Sequence, residues 1–351
     1  MHIGWIQVLE FRNHRTLSWS PWPKLNLLSG ANAQGKTNLL EALGFLLTGR
    51  SFRTARLAEI PFWGSTRAAL AGELHRVDGT RTVRRQIERE ESGAWQSAGD
   101  ECAWARAVAF GWPDLEILNG APAARRRFLD GFAARLYPSH RAALIRYRQI
   151  LARRNRILQR GSPEGAAGLA PWDEQLAAVG IELIDRRQRA VAALQTELAR
   201  IYPALAAGRH KVEIRYRGSL GEGTDAVAFL AALARARRAE VRRGQTLVGP
   251  HRDDLAIELD GMDARTFGSR GQQRLLALAL RLAEVLPITE AVGTAPVLLL
   301  DDALSELDGA ARASVLREIE QADQVFLTSP EPQPDARGAR WRLSEGEVAA
   351  A

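Results

Sequence analysis

The sequence predicts an α/β fold whose core is interrupted by a mainly helical lobe. Three observations carry that reading. Strand patterns dominate residues 3–110, helical patterns follow one another from Ala121 to Arg243, and strands alternate with helices again after Gly249. No internal repeat is present, so one core broken by an insertion explains the order better than two tandem domains. The expected lobes are residues 1–112, 113–289 and 290–351, the last returning to the first.

The elements follow in order. Residues 3–10 alternate as a strand, and 25–29 form a short apolar strand. A helix is expected from Lys36 to about Leu47, with Gly49 as its C-cap. Residues 68–77 and 81–88 flank Val77-Asp78-Gly79-Thr80, whose Asp-Gly pair signals a hairpin turn. Residues 107–110 read as a buried strand. Helices are expected over 121–137, 139–160, 172–202 and 224–243, the first three separated by Pro138, the 161–170 stretch and Pro203, with a strand at 211–217 before the last. Then come a strand at 255–259, the turn Asp260-Gly261, a helix at 271–285 and a strand at 297–301. A helix at 309–321 and strands at 324–328 and 339–344 complete the chain.

Composition narrows the class. Hydrophobic residues at 46% and charged residues at 25% suit a globular protein. The single cysteine, Cys102, rules out an intrachain disulfide and fits a reducing compartment. No apolar run reaches membrane-spanning length, and the N-terminus lacks the charged and apolar regions of a leader. A cytoplasmic, non-membrane protein is expected. Net charge is +7, but residues 121–160 alone carry eleven arginines against one acid, Asp130. That block of +10 leaves about −3 for the remainder and suggests a polyanionic partner.

Lysine is rare, three against 45 arginines, yet Lys36 stands at the junction of a strand and a helix. Residues 30–37, Gly-Ala-Asn-Ala-Gln-Gly-Lys-Thr, fit the phosphate-loop pattern, whose chance occurrence is on the order of 0.01 per chain. Gly30 and Gly35 permit the tight backbone path. The amides of Ala31, Asn32, Ala33, Gln34 and Gly35, with the helix N-terminus, face the β-phosphate of a nucleotide. Lys36 supplies a point charge to the β and γ oxygens, and the Thr37 hydroxyl binds Mg²⁺. Arginine is too bulky and forked to fold back over the loop in place of Lys36.

Two further motifs complete a nucleotide site. In 296-PVLLLDDALSELD-308, four apolar residues make a central strand that ends in Asp301, a metal ligand, and Asp302, which orients or polarises the attacking water. Alone, this stretch also suits a helix cap after a core strand. In 269-SRGQQRLLALALRLAE-284, Ser269 opens an amphipathic helix. It serves as an ordinary N-cap, or as an ABC-type signature in which a serine hydroxyl, a glycine amide and the helix N-terminus close over the γ-phosphate held by a second subunit.

These stretches, together with WPDLEILNGAPAARRRFLDGF (112–132), YRQILARRNRIL (147–158) and QTLVGPHRDDL (245–255), resemble the RecF family of bacterial recombination mediators, ABC ATPases related to SMC proteins. The helical middle motifs separate this family from ABC transporters. The resemblance implies an ABC-ATPase head: a phosphate-loop core with a mixed or parallel sheet, an antiparallel N-terminal sheet, an inserted helical lobe and no long coiled coil. It implies ATP on Gly30–Thr37, Mg²⁺ on Thr37 and Asp301, and catalytic roles for Lys36 and Asp302. Ser269, Gly271 and Gln272 act across an ATP-dependent homodimer, and 305–308 matches the D-loop linking its two sites. Asp302 stands where many ABC enzymes carry glutamate, and Thr328 where transporters carry a switch histidine. Both departures suit slow hydrolysis, and the resemblance implies a weak, DNA-stimulated ATPase. The implied role is DNA repair and replication restart at duplex and gapped DNA, with loading of RecA together with RecR and RecO. A transporter motor subunit is the alternative. An SMC-like tether is disfavoured because the longest helical pattern, about thirty residues, lacks sustained heptads.

On a helix over 139–160, Leu144, Tyr147, Leu151 and Leu158 share one face, and Arg146, Arg153, Arg156 and Arg160 the opposite one. The arginine face reads as a DNA-backbone stripe, or singly as solvated side chains; Arg154, near the apolar seam, is expected to snorkel or pair inside the fold. His251, beside Asp253 and Asp254, has no second histidine at ligand spacing and is expected in a structural turn supporting the signature helix.

Overall fold

The computed structural model describes residues 1–160, 168–208, 210–220, 225–320, 322–332 and 337–351. The chain folds as two units. The first comprises Met1–Leu115, Arg200–Arg209 and Ser269–Ala351; the second comprises Glu116–Ala199 and His210–Gly268.

Two sheets build the first unit. Strands β1 (His2–Phe11), β2 (His14–Trp19), β4 (Arg67–Arg76), β5 (Gly79–Arg89) and β6 (Trp95–Gly99) form an antiparallel sheet in the order β2-β1-β4-β5-β6. Its buried residues alternate, as Ala68, Leu70 and Leu74 do along β4, because one face is packed. The second sheet contains β3 (Leu25–Ser29), β7 (Ala107–Phe110), β11 (Val297–Leu300), β12 (Val325–Ser329), β13 (Ala339–Ser344) and β14 (Glu347–Ala350), in the order β14-β13-β3-β12-β11-β7. Every pairing from β13 to β7 is parallel, and only the edge strand β14 is antiparallel. Strand β11 is buried at all positions, which is why it reads as unbroken Val-Leu-Leu-Leu. The helix Lys36–Thr48 packs on strands of both sheets, and Leu39, Leu43, Leu46, Ile6, Leu74, Leu299 and Phe326 share one core. A helix gripped from two sides has no polar stripe to display.

The hairpin loop is Val77-Asp78, one residue earlier than the Asp-Gly signal, with register Arg76↔Gly79. The Arg76 guanidinium pairs with the Asp78 carboxylate across that loop. The lobe limits expected from the sequence put helix 270–282 with the helical insert. Its packing puts it in the first unit, against β7 and the short helical turn Trp112–Leu115. The buried face Leu275, Leu276, Leu278 and Leu280 is satisfied there.

The second unit contains helices Pro122–Leu136, His140–Arg160 and Ala226–Arg243, and most of Ala170–Leu205. That last helix runs through Pro203, which the sequence suggested as its stop, and ends two residues later. Strands β8 (Val212–Arg217), β9 (Asp254–Leu259) and β10 (Met262–Asp263) form an antiparallel sheet. The expected Asp260-Gly261 turn joins β9 to β10, both residues in the left-handed region (φ 51° and 79°). Tyr147, Ile150, Leu176, Leu183, Phe229 and Leu233 anchor the core. Arg154 is fully buried: it binds Asp173 at 2.7 Å, Glu240 at 2.6 Å and the Thr246 hydroxyl at 2.8 Å. A second buried cluster joins Arg187 and His140 to the Asp130 carboxylate.

Candidate functional site

Strands β3, β12 and β11 are parallel neighbours, so their C-terminal ends emerge together. The phosphate loop leaves β3, Thr328 ends on β12 and Asp301 leaves β11. The Thr37 hydroxyl donates to Asp301 Oδ2 at 2.7 Å, and the Thr328 hydroxyl donates to Asp301 Oδ1 at 2.8 Å. Thr328 also accepts the Asp302 N–H at 3.0 Å. This buried threonine thus orients both carboxylate-bearing residues.

The loop has the geometry its sequence requires. A Cβ on Gly30 would lie 2.4 Å from the Leu343 carbonyl oxygen of β13. Gly35 has φ +104° and caps the following helix without any side-chain bond, leaving the first amides uncapped. Lys36 Nζ folds back to the Gly30 and Ala31 carbonyls at 2.5 and 2.9 Å. Burial pulls its pKa below the usual lysine value, partly opposed by Asp301 and Asp302. Gln34 offers its backbone to the loop, while its side chain accepts the Glu345 N–H at 2.6 Å.

Residues that sequence reasoning missed brace the loop. Asn13 donates to the Gln34 carbonyl at 3.2 Å, and the His14 ring lies between the carbonyls of Gly346 (2.8 Å) and Gly35 (3.4 Å). Burial lowers the His14 pKa. Glu41, fully buried on the loop helix, takes Arg12, Arg53 and Ser51. The only signal for them was their position between two strands or on the helix flank, which any polar residues share.

At the start of the signature segment Ser269, Arg270 and Gly271 are exposed, and Gln272 and Gln273 are half-buried. Ser269 and Gln272 form a reciprocal capping box: the Ser269 N–H donates to Gln272 Oε1 at 2.8 Å, and the Gln272 N–H to Ser269 Oγ at 3.3 Å. The cap reading is therefore real, and it leaves the serine hydroxyl's own hydrogen for another acceptor. Arg281 of this helix binds Asp114, whose other oxygen accepts the Gly111 N–H.

In the second unit, Arg146, Arg153 and Arg156 are exposed, and Leu144, Tyr147, Leu151 and Leu158 face inward. Arg146 pairs with Glu182 at 3.5 Å, and Arg153 lies over the Trp172 ring. The Arg160 side chain lies outside the described residues. Not all the basic block is surface charge, since buried Arg125 binds Asp254 and half-buried Arg126 the Asp253 carbonyl, whereas Arg127 is exposed and pairs with Glu116 at the surface. The bonds of His251 run to the Tyr147 hydroxyl (2.8 Å) and the Thr246 carbonyl (3.1 Å), both inside this unit. Among the described residues no group of three or more His, Cys, Asp or Glu is placed to hold a metal, and no helix is long and apolar enough to cross a membrane.

A hydroxyl and a carboxylate 2.7 Å apart are a hard-oxygen pair suited to Mg²⁺, and an uncapped helix N-terminus with a folded-back lysine suits an oxyanion. A parallel sheet carrying this loop, an antiparallel partner sheet and a signature helix define an ABC-ATPase head of the SMC type. The family model for the RecF/RecN/SMC N-terminal domain matches residues 2–334. The chain belongs to that family and, within it, to the RecF group of DNA replication and repair proteins: it is 37% identical to RecF of Heliobacterium modesticaldum over 99% of both chains, and 39% identical to RecF of Symbiobacterium thermophilum over 93% of this chain and 91% of that one. The structure of RecF with ATP superposes with a TM-score of 0.88 at 28% identity, covering 100% of this chain and 97% of that one. The Smc head domain of Pyrococcus furiosus shares the fold, with a TM-score of 0.56 at 16% identity over 100% of this chain and 96% of that one. Among the described residues there is no long coiled coil.

Proposed function

We propose that the chain is an ATP-gated DNA clamp of recombinational repair and replication restart, with slow, DNA-stimulated hydrolysis. ATP binds residues 30–37, with Lys36 against the β and γ oxygens; Thr37 and Asp301 hold Mg²⁺, which when bound neutralises phosphate charge. Asp302 polarises the attacking water. Ser269, Gly271 and Gln272 of a second copy close the site, the serine hydroxyl and the signature-helix amides meeting the γ-phosphate. Pairing applies two basic helical units to duplex or gapped DNA, and hydrolysis releases them. Family membership supports a cytoplasmic role with RecR and RecO in loading RecA.

The observation that carries this reading is the Thr37–Asp301 contact at 2.7 Å, set beside an exposed signature cap bonded to itself. One half of a composite pocket is preassembled and the complementary half faces solvent. The solved complexes of RecF with ATP and with an ATP analogue support the nucleotide. Sedimentation of the protein with ATP and Mg²⁺ tests it. Wild type is expected to dimerise, Lys36→Ala to stay monomeric, and Ser269→Ala to pair weakly while the monomer still binds ATP. A monomer at saturating ATP and Mg²⁺ would overturn the clamp. DNA binding with and without ATP, on gapped and blunt duplexes, tests the second half of the reading.

A further inference from the structure

Arg274 lies five residues beyond Ser269 on the signature helix and is only 3% exposed. An arginine so buried needs partners. Its Nη2 donates to the Asp302 backbone carbonyl at 2.6 Å and to the Ser305 hydroxyl. The guanidinium sits 3.9 Å from Asp302 Oδ2 and 4.6 Å over the Trp112 ring, which restricts its orientation. Ser305 in turn donates to the Asp302 carbonyl through its hydroxyl at 3.1 Å and its N–H at 3.3 Å. One carbonyl oxygen thus collects three donors. The turn it belongs to is one that needs holding: Asp302 and Glu306 both have positive φ, 52° and 62°, without being glycine.

The geometry points to Arg274 as a positioning residue that locks the Asp302–Ser305 turn to the signature helix of the same chain. The seat of Ser269 and the aim of the Asp302 carboxylate then move as one piece. The inference rests on the clamp reading, in which Ser269 serves the partner's nucleotide and Asp302 its own, and adds the link between them. Closure of Ser269 on one site sets Asp302 in the other, so a pair of heads hydrolyses in concert. Binding and pairing do not need the link; turnover does.

The test compares wild type with Arg274→Gln, Arg274→Lys and Ser305→Ala in steady-state ATP turnover, nucleotide binding and ATP-dependent pairing. Arg274→Gln is expected to lower kcat about tenfold or more with KM within about twofold, and pairing retained. Arg274→Lys, which keeps a donor for the Asp302 carbonyl, recovers a substantial part of kcat. Ser305→Ala lowers kcat about threefold, and adding it to Arg274→Gln lowers kcat no further, because the two act on one carbonyl. Thermal melts report folding; should Arg274→Gln melt early, the non-additivity of Ser305→Ala with Arg274→Lys decides. Unchanged kcat in Arg274→Gln, fully additive losses, or a KM that rises as kcat falls overturns the link. Turnover abolished by Ser269→Ala yet indifferent to Arg274→Gln sinks the link alone. Wild type that binds ATP but neither pairs nor hydrolyses sinks the clamp reading, and the link with it.

Discussion

The two units carry equal numbers of basic side chains, 24 each, but 24 acids in the first and 17 in the second. The first unit is therefore neutral and the second holds the whole +7. Their interiors differ too. The second unit buries several acids, Asp130, Asp173, Glu240 and Asp253 among them, and spends Arg154 and Arg187 on the first three. With acids drawn inward, exposed arginines such as Arg153 and Arg156 dominate the outside. In the first unit the decisive charges are few: Lys36 at the N-terminus of the helix after β3 and Asp301 just beyond β11, where the proposed nucleotide site lies. Charge builds a surface in one unit and a point site in the other.

That contrast can be broken by mutation. The largest effect is expected from Arg154→Ala, which leaves Asp173 and Glu240 buried with reduced compensation and costs about 3–5 kcal/mol in denaturant unfolding. ATP binding by the folded fraction should be untouched; loss of both together would show that the units are not separable in this way.

Acid should act next. Burial is the main cause that lowers the His251 pKa to about 4, with Arg252, Arg126 and Arg154 adding to it and the Thr246 carbonyl opposing. Between pH 6.5 and about 4 the unfolded chain binds the extra proton, so stability is full above that window and falls as pH drops through it. The loss is on the order of 3 kcal/mol. Urea melts of wild type and His251→Gln across this range check it, the variant being expected to show the shallower slope.

A smaller effect sharpens the first unit's role. Thr328→Val removes the hydroxyl joining the Asp301 carboxylate to the Asp302 amide, and should lower ATP turnover about tenfold with little change in melting temperature. A turnover equal to wild type would make the threonine a packing residue only. The smallest change is expected from Arg156→Ala: DNA affinity a few-fold weaker, and the slope of log affinity against log salt reduced by about one. An unaltered slope would remove Arg156 from the DNA surface.

The sequence by itself determined the phosphate loop, its helix, the β11 strand ending in Asp301 and the order of the main elements. These signals are local: a loop that must approach phosphate restricts residue type at fixed spacing, and a strand buried on both faces is apolar throughout. Strands β2, β6 and β14 were illegible, because polar or alanine-rich segments of four to six residues acquire strand geometry only from a neighbour's backbone. The hairpin turns one residue before the Asp-Gly signal, with Arg76 opposite Gly79 and Arg76 paired to Asp78 within the loop. Only the tertiary structure brought Thr328 to Asp301, Asn13 to Gln34 and Arg274 to Asp302, and showed which arginines of the basic block are consumed inside. Those pairings join residues distant in the chain, and nothing in local spacing encodes which strand ends a parallel sheet will place side by side.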